Sequence, residues 1–329
     1  MNGIAVLTDL HIGKDNDSAL FADAFLEFVT FFVKNVPKDV RTLVINGDTT
    51  QNYAVTPRTS ATFRKFAGLI RDRFDHVIFN VGNHDIKGRS VTTESSIDSL
   101  TSFGETRILG NDTKISITTT VTEFIKPFEF IVYPYNTFTQ KTLDVSMLEP
   151  VYAFTHQDNS SKLQADGITI LNGHVHQRGK LGNVYNLGVG YQLGSEQSVE
   201  HLGFHIAWED GRLEHIHYPQ SPMFIRVAIN NNRIDNEHAV KWISANRDAL
   251  KKAHSIVVKV DHDTSKANLE KFKGVLSTIN SNFEIIDEVK FVIDIDESTE
   301  TRNFIVVQKE ILSVDTHEKL QEIHTEATQ

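Results

Sequence analysis

The stretch His76-Val77-Ile78-Phe79-Asn80-Val81-Gly82-Asn83-His84-Asp85 decides the fold. Residues 77–81 are rich in β-branched and aromatic side chains, as a buried strand is, and the strand runs straight into a glycine and three polar residues. Upstream, Pro57 opens a helix in which Phe63, Phe66, Ile70 and Phe74 recur at helical spacing. Before it, residues 43–46 form a second strand, ending in Gly47-Asp48. Before that, Phe21, Phe25, Phe28 and Phe32 mark a helix over residues 19–36, stopped by Pro37. A first strand, residues 4–8, ends in Asp9-Leu10-His11. Three strands alternating with helices, each ending in an acid, amide or histidine, define an α/β layout.

Downstream the pattern becomes β-rich, with strands expected over residues 114–120, 129–133, 151–155, 168–171, 184–187, 204–208 and 213–217. Asp210-Gly211, between the last two, is a hairpin signal. After Pro219 a compact β-α-β-α-β run is expected: strands 224–229, 255–260 and 284–291, helices 237–250 and 265–279. The domains are therefore 1–220, a small α+β unit over 221–298, and a polar tail, 299–329. In the tail Asp315-x-x-Glu318 resembles a capping box and Leu320 and Ile323 share a helical face, which suits a segment that orders on a partner. There is no internal repeat.

Composition narrows the function. An apolar fraction of 40% supports a sizeable core and excludes a disordered chain. With no cysteine, disulfides, thiolate zinc sites and cysteine nucleophiles are excluded together. No apolar run is long enough to span a bilayer, and the N-terminal residues have no secretory pattern, so a cytoplasmic protein is expected. Lys and Arg number 33 against 43 Asp and Glu, a net charge of −10. Such a chain is a poor lone binder of nucleic acid but a plausible host for divalent cations.

Five motifs fall at strand ends: Asp9-x-His11, Gly47-Asp48, Gly82-Asn83-His84-Asp85, Thr155-His156 and Gly173-His174-Val175-His176. In open α/β sheets, ligands bind beyond the carboxyl ends of the strands, so these motifs can meet in one crevice. Asp, Asn and His suit divalent metals from magnesium to zinc. Asp9 and His11, two apart on an extended strand end, are expected to point the same way, as are His174 and His176. Taken singly, each motif has a plainer reading as a cap, a turn or a core histidine. Seven ligand-type residues together do not.

In this order the motifs resemble the calcineurin-like metallophosphoesterase superfamily, over about residues 1–217. The resemblance implies a two-sheet sandwich flanked by helices, with the unit after residue 220 as a capping domain. It implies two divalent ions, manganese first, with magnesium, iron or zinc as alternatives. Asp9, His11 and His176 would hold one; Asn83, His156 and His174 the other; Asp48 would bridge them. His84 would be a catalytic proton or hydrogen-bond donor, oriented by Asp85. Within the superfamily the chain is most similar to SbcD-type repair nucleases and their phage recombination relatives. That similarity rests on Tyr185-Asn186-Leu187-Gly188, on His201-Leu202-Gly203-Phe204 and on the terminal β-α-β-α-β unit. It implies DNA as substrate, an SbcC-type SMC-like ATPase as partner, and a homodimer. One departure is Gln51, where many of these nucleases carry His or Asp.

Two rivals remain: a free-standing phosphatase or cyclic-nucleotide phosphodiesterase, and an inactive scaffold. The second unit argues against the first, and the complete ligand set against the second. His215 and His217 lack a preceding glycine and read as the solvent side of an edge strand. His201 and His205 read as hairpin residues. His76, His238, His254, His262, His317 and His324 read as surface. Lys87, Arg89 and Arg178 lie beside the motifs, where a phosphate contact and a solvated charge are about equally supported.

Overall fold

The computed structural model describes residues 2–88, 95–102, 114–135, 137, 151–158, 167–194, 197–220, 223–229, 241, 243–261, 266–281 and 283–288. Arg89, His238, His262 and all residues from 289 on, which include the end of the expected strand 284–291 and the whole tail 299–329, lie outside these residues, as does part of the expected helix 237–250. Two six-stranded sheets dominate. The first takes the order β12 (Leu213–His217), β11 (Gly203–Trp208), β1 (Gly3–Leu7), β2 (Thr42–Asn46), β3 (His76–Asn80), β4 (Lys114–Thr118). The second runs β5 (Thr122–Phe124), β6 (Phe130–Tyr133), β7 (Tyr152–His156), β8 (Thr169–Gly173), β10 (Val184–Asn186), β9 (Gly179–Leu181). Strands β1 to β4 are mutually parallel, as are β6, β7, β8 and β10, so their carboxyl ends share one rim of each sheet.

Side-chain alternation explains the layering. Ile4 and Val6 of β1 face the second sheet and pack with Phe130, Phe154 and Leu171. Ala5 and Leu7 face the other way, against helices α1 (Ala19–Asn35) and α2 (Pro57–Arg71). Phe21, Phe25, Phe28 and Phe32 of α1 are buried there. Each such ring contributes roughly 1.5–3 kcal/mol by leaving water. Helix α2 begins where Pro57 predicts, with the Thr56 hydroxyl accepting from the Thr59 amide at 3.1 Å.

Buried amides stitch the sheets together at that rim. Asn46, last in β2, donates to the carbonyls of Thr155 and Leu171 at 2.8 and 3.0 Å. Asn80, last in β3, donates to Asn46 Oδ1 at 2.9 Å and to the Tyr133 carbonyl at 3.2 Å. A buried, fully hydrogen-bonded amide set specifies one docking of the two sheets, since any shift would orphan polar groups.

The third sheet, β13 (Phe224–Ile229), β14 (Ser255–Asp261) and β15 (Phe283–Glu288), is wholly parallel. Helices α4 (Arg247–Lys252) and α5 (Lys266–Ser277) alternate with its strands, and Leu250, Ile256, Val258, Phe272 and Leu276 form its core. Strands and helices thus alternate in this unit, in the β-α-β-α-β order expected. It touches the larger unit through Phe224 and His254, whose rings flank Phe21 at 6.1 and 5.3 Å. Helix α3 (Ser96–Ser102) and the short strands β5 and β9 were not expected from the sequence.

Candidate metal centre

All seven residues expected as ligands converge at the shared rim. Asp9, His11 and His176 form one group whose ligand atoms lie within 4.8 Å of one another, and Asp48, His156 and His174 form another. A third, His11, Asp48 and His84, joins the two. Asn83 Oδ1 completes the second group, 2.9 Å from His174 Nδ1 and 3.2 Å from His156 Nε2. Asp48 stands between the groups, with Oδ2 3.7 Å from His11 Nε2 and 3.3 Å from His156 Nε2.

The backbone reaches this arrangement differently from the extended strand ends expected. Strand β1 stops at Leu7, and Asp9 and His11 take φ of 51° and 44°. Asp48 and His174 also lie at positive φ, 48° and 68°. For residues with a Cβ this left-handed region is unfavourable, by roughly 1–3 kcal/mol each where strained, and such outliers gather at functional sites. Here the distortion turns alternate side chains inward. Close approach also dictates glycine. A Cβ on Gly47, itself at φ 89°, would lie 2.1 Å from His156 Nδ1, and one on Gly82 would lie 2.2 Å from Asp48 Oδ1.

Electrostatics hold the two carboxylates charged and His11 neutral, while His156 keeps a proton in the metal-free chain. Burial alone would raise the Asp9 carboxyl, but His176 and His156 outweigh it and bring its pKa below the ordinary value. Burial would likewise raise Asp48; the His156 charge overturns this and holds it well below the usual range. Burial pushes His11 down to about 3, leaving a neutral ring. His156 Nδ1 donates to the Asn46 carbonyl at 2.9 Å, so its Nε2 is the atom turned to Asp48 and Asn83. His11 Nε2 and His176 Nε2 face each other at 3.1 Å. Two ring nitrogens and two buried carboxylates aimed at one spot form a donor set that a divalent cation satisfies. The residues present therefore fit the metals.

His84 lies beside this set, its ring centroid 4.8 Å from that of His11. Its Nδ1 donates to the Gln51 carbonyl at 2.7 Å, which leaves Nε2 for a substrate. The residue flagged as a departure from the family thus orients His84 through its backbone. Asp85, expected in that role, is directed elsewhere. Its carboxylate accepts from the amides of Gly82, Thr49 and Thr50 at 3.0, 3.2 and 2.9 Å and from the Thr50 hydroxyl at 3.1 Å. It ties the loop carrying Asp48 to the loop carrying Asn83.

Asp158 escaped the sequence reading. One of its oxygens lies 3.0 Å from His174 Nε2, and the Tyr135 hydroxyl donates to the other at 3.3 Å. Its only signal was its place two residues after His156 at a strand end.

A family model for calcineurin-like phosphoesterases matches residues 3–210. The chain belongs to this family, and the family's chemistry makes it a hydrolase of phosphoesters. Comparison with curated proteins finds no match. Among the described residues no helix is long and apolar enough to cross a membrane.

Proposed function

We propose that this chain is a metal-dependent phosphodiesterase that cleaves DNA, as the nuclease subunit of an SbcCD-like recombination or repair complex. The observation that carries the phosphodiesterase reading is the convergence of seven ligand-type side chains from five separate segments on one rim. Asp9, His11 and His176 would hold one divalent ion and Asn83, His156 and His174 the other, with Asp48 between them. Bound there, such ions would supply charge neutralisation at a phosphate and an acidified water; manganese is the metal we expect. This chain's own contribution is the rigid placement of the ligands and His84. With Nδ1 committed to the Gln51 carbonyl, His84 Nε2 can give a hydrogen bond or proton to the leaving oxygen.

DNA as the substrate is supported by the SbcD-like tracts Tyr185-Asn186-Leu187-Gly188 and His201-Leu202-Gly203-Phe204 and by the second β-α-β unit, which an enzyme for small phosphoesters does not need. With a net charge of −10, the chain borrows much of its DNA affinity from an ATPase partner. The deciding assay compares duplex DNA ends with bis(p-nitrophenyl) phosphate, with manganese, with and without such a partner. Turnover of the small diester with none on DNA would leave a phosphodiesterase and remove the nuclease.

A further inference from the structure

His205 lies in the β11–β12 hairpin as expected, but the expectation that His215 faces solvent does not hold. His205 on β11 is only 5% exposed. His215, its register partner on β12, is half-buried, and the two ring centroids are 4.9 Å apart. His215 Nε2 is buried against Gly203 with no hydrogen-bond partner. No side-chain hydrogen bond holds the His205 ring among the described residues. Both rings line a cavity of about 290 Å³ between the edges of the two sheets. Its far wall, from β9, β10 and the segment before them, brings Arg178, Lys180, Tyr185 and Asn186.

A cavity whose walls bring two polar rings together with exposed cations offers a ligand several donors at once. The charge decides which ligand. In a chain of net charge −10, the lining has two cations, two histidines, an amide and a phenol, and no carboxylate. A metal ion would face the Arg178 and Lys180 charges with only two donors, whereas an anion finds donors on both walls. Burial and the nearby Arg178 push both histidines below their ordinary pKa, consistent with a positive field that an anion would relieve. Position narrows it further. Arg178 also lines an adjoining cavity of about 230 Å³ that reaches His176, a residue of the metal centre.

We propose that the cavity between β9–β10 and β11–β12 is a phosphate-binding subsite, which holds a phosphate of the substrate strand next to the one at the metal centre. It deepens the nuclease reading above and rests on it for the source of the phosphate. A substrate with several phosphates would span both places, with Arg178 between them. A substrate with one phosphate would fill only the first.

The test has two arms, both on the full chain. In EDTA, inorganic phosphate and the trinucleotide pTpTpT are titrated calorimetrically, so the metal centre contributes no metal-held phosphate. One site is expected, weakened at least tenfold by Arg178→Gln and by Lys180→Gln; Lys180 is exposed, so its variant tests the charge without disturbing the core. Absent binding, or binding unchanged in both variants, overturns the subsite. With manganese, the loss of kcat/KM in Lys180→Gln is expected to be at least fivefold larger on an oligonucleotide than on bis(p-nitrophenyl) phosphate. Equal losses overturn the strand as the source of the phosphate. If wild type cleaves no oligonucleotide while phosphate binding still depends on Arg178 and Lys180, the nuclease reading falls and the cavity stands as a site for free phosphate.

Discussion

The carboxylate of Asp158 sits 3.0 Å from Nε2 of His174, while Nδ1 of the same ring sits 2.9 Å from Asn83 Oδ1. The ring is held from behind by an acid and presents its other nitrogen to the metal centre. This is the carboxylate–histidine arrangement that fixes a ligand's tautomer and raises its basicity. Asp158 is largely exposed, which weakens its field. Asp158→Asn is therefore expected to reduce manganese affinity about tenfold, near the low end of such effects. Calorimetric titration of the metal would read it, and an unchanged Kd would reduce Asp158 to a surface acid.

Asp48 has no substitute as the charge between the two groups. Two divalent ions a few ångströms apart repel strongly unless a carboxylate lies between them. Asp48→Asn is expected to bind neither ion, as judged by metal analysis after dialysis. Two ions retained per chain would move the bridge elsewhere.

His84→Gln should keep the metals and lose turnover. Its ring is tethered by the Gln51 carbonyl and its assigned task is proton or hydrogen-bond donation, worth ~10²–10⁴ in rate. Single-turnover cleavage beside metal analysis separates the outcomes. Near-normal cleavage would take His84 out of the chemistry, and loss of metal would make it a ligand.

Asp85 is predicted to matter for stability before chemistry. Three backbone amides point at its two oxygens, and Asn offers only one acceptor oxygen. Asp85→Asn thus leaves a buried donor facing a donor, at a cost of about 2–3 kcal/mol. Urea unfolding of the metal-free chain measures this. A change below ~0.5 kcal/mol would mean the loops hold each other without it.

Much of this could be read from the chain. Strand and helix positions followed from phenylalanine spacing and β-branched runs, because burial on both faces of β1, β2 and β3 leaves little freedom of composition. The seven ligand-type residues were legible because short motifs at strand ends gather wherever parallel strands share a rim. What was not legible depends on long-range placement. Asp85 and His84 are neighbours in sequence, yet the turn sends one side chain into the loops and leaves the other at the site. Asn46 and Asn80 look like ordinary strand ends until the second sheet arrives. His205 and His215 pair only because β11 and β12 bring them opposite each other, and their cavity needs Arg178 and Lys180 from the other sheet.

Metal uptake should be linked to pH through His156. Burial alone would lower the pKa of this ring, but the Asp48 charge overcomes that and raises it to about 10 in the metal-free chain. Asp48 in turn is held below its ordinary value. A raised histidine stabilises the fold fully below its unfolded pKa of ~6.5, and that contribution is lost as pH rises through about 10. A depressed aspartate stabilises above its unfolded pKa of ~3.9, and that contribution is lost as pH falls. The pair therefore steadies the metal-free chain most between roughly pH 4 and 6.5. A cation needs the ring neutral, so it must displace the His156 proton. Manganese affinity is expected to rise about tenfold from pH 6.5 to 7.5, one proton leaving per unit of pH. Calorimetry in HEPES and in Tris would show the released proton as a buffer-dependent heat. Affinity flat across this interval, with heats equal in the two buffers, would mean that the ring is already neutral and that Asp48 does not hold its proton.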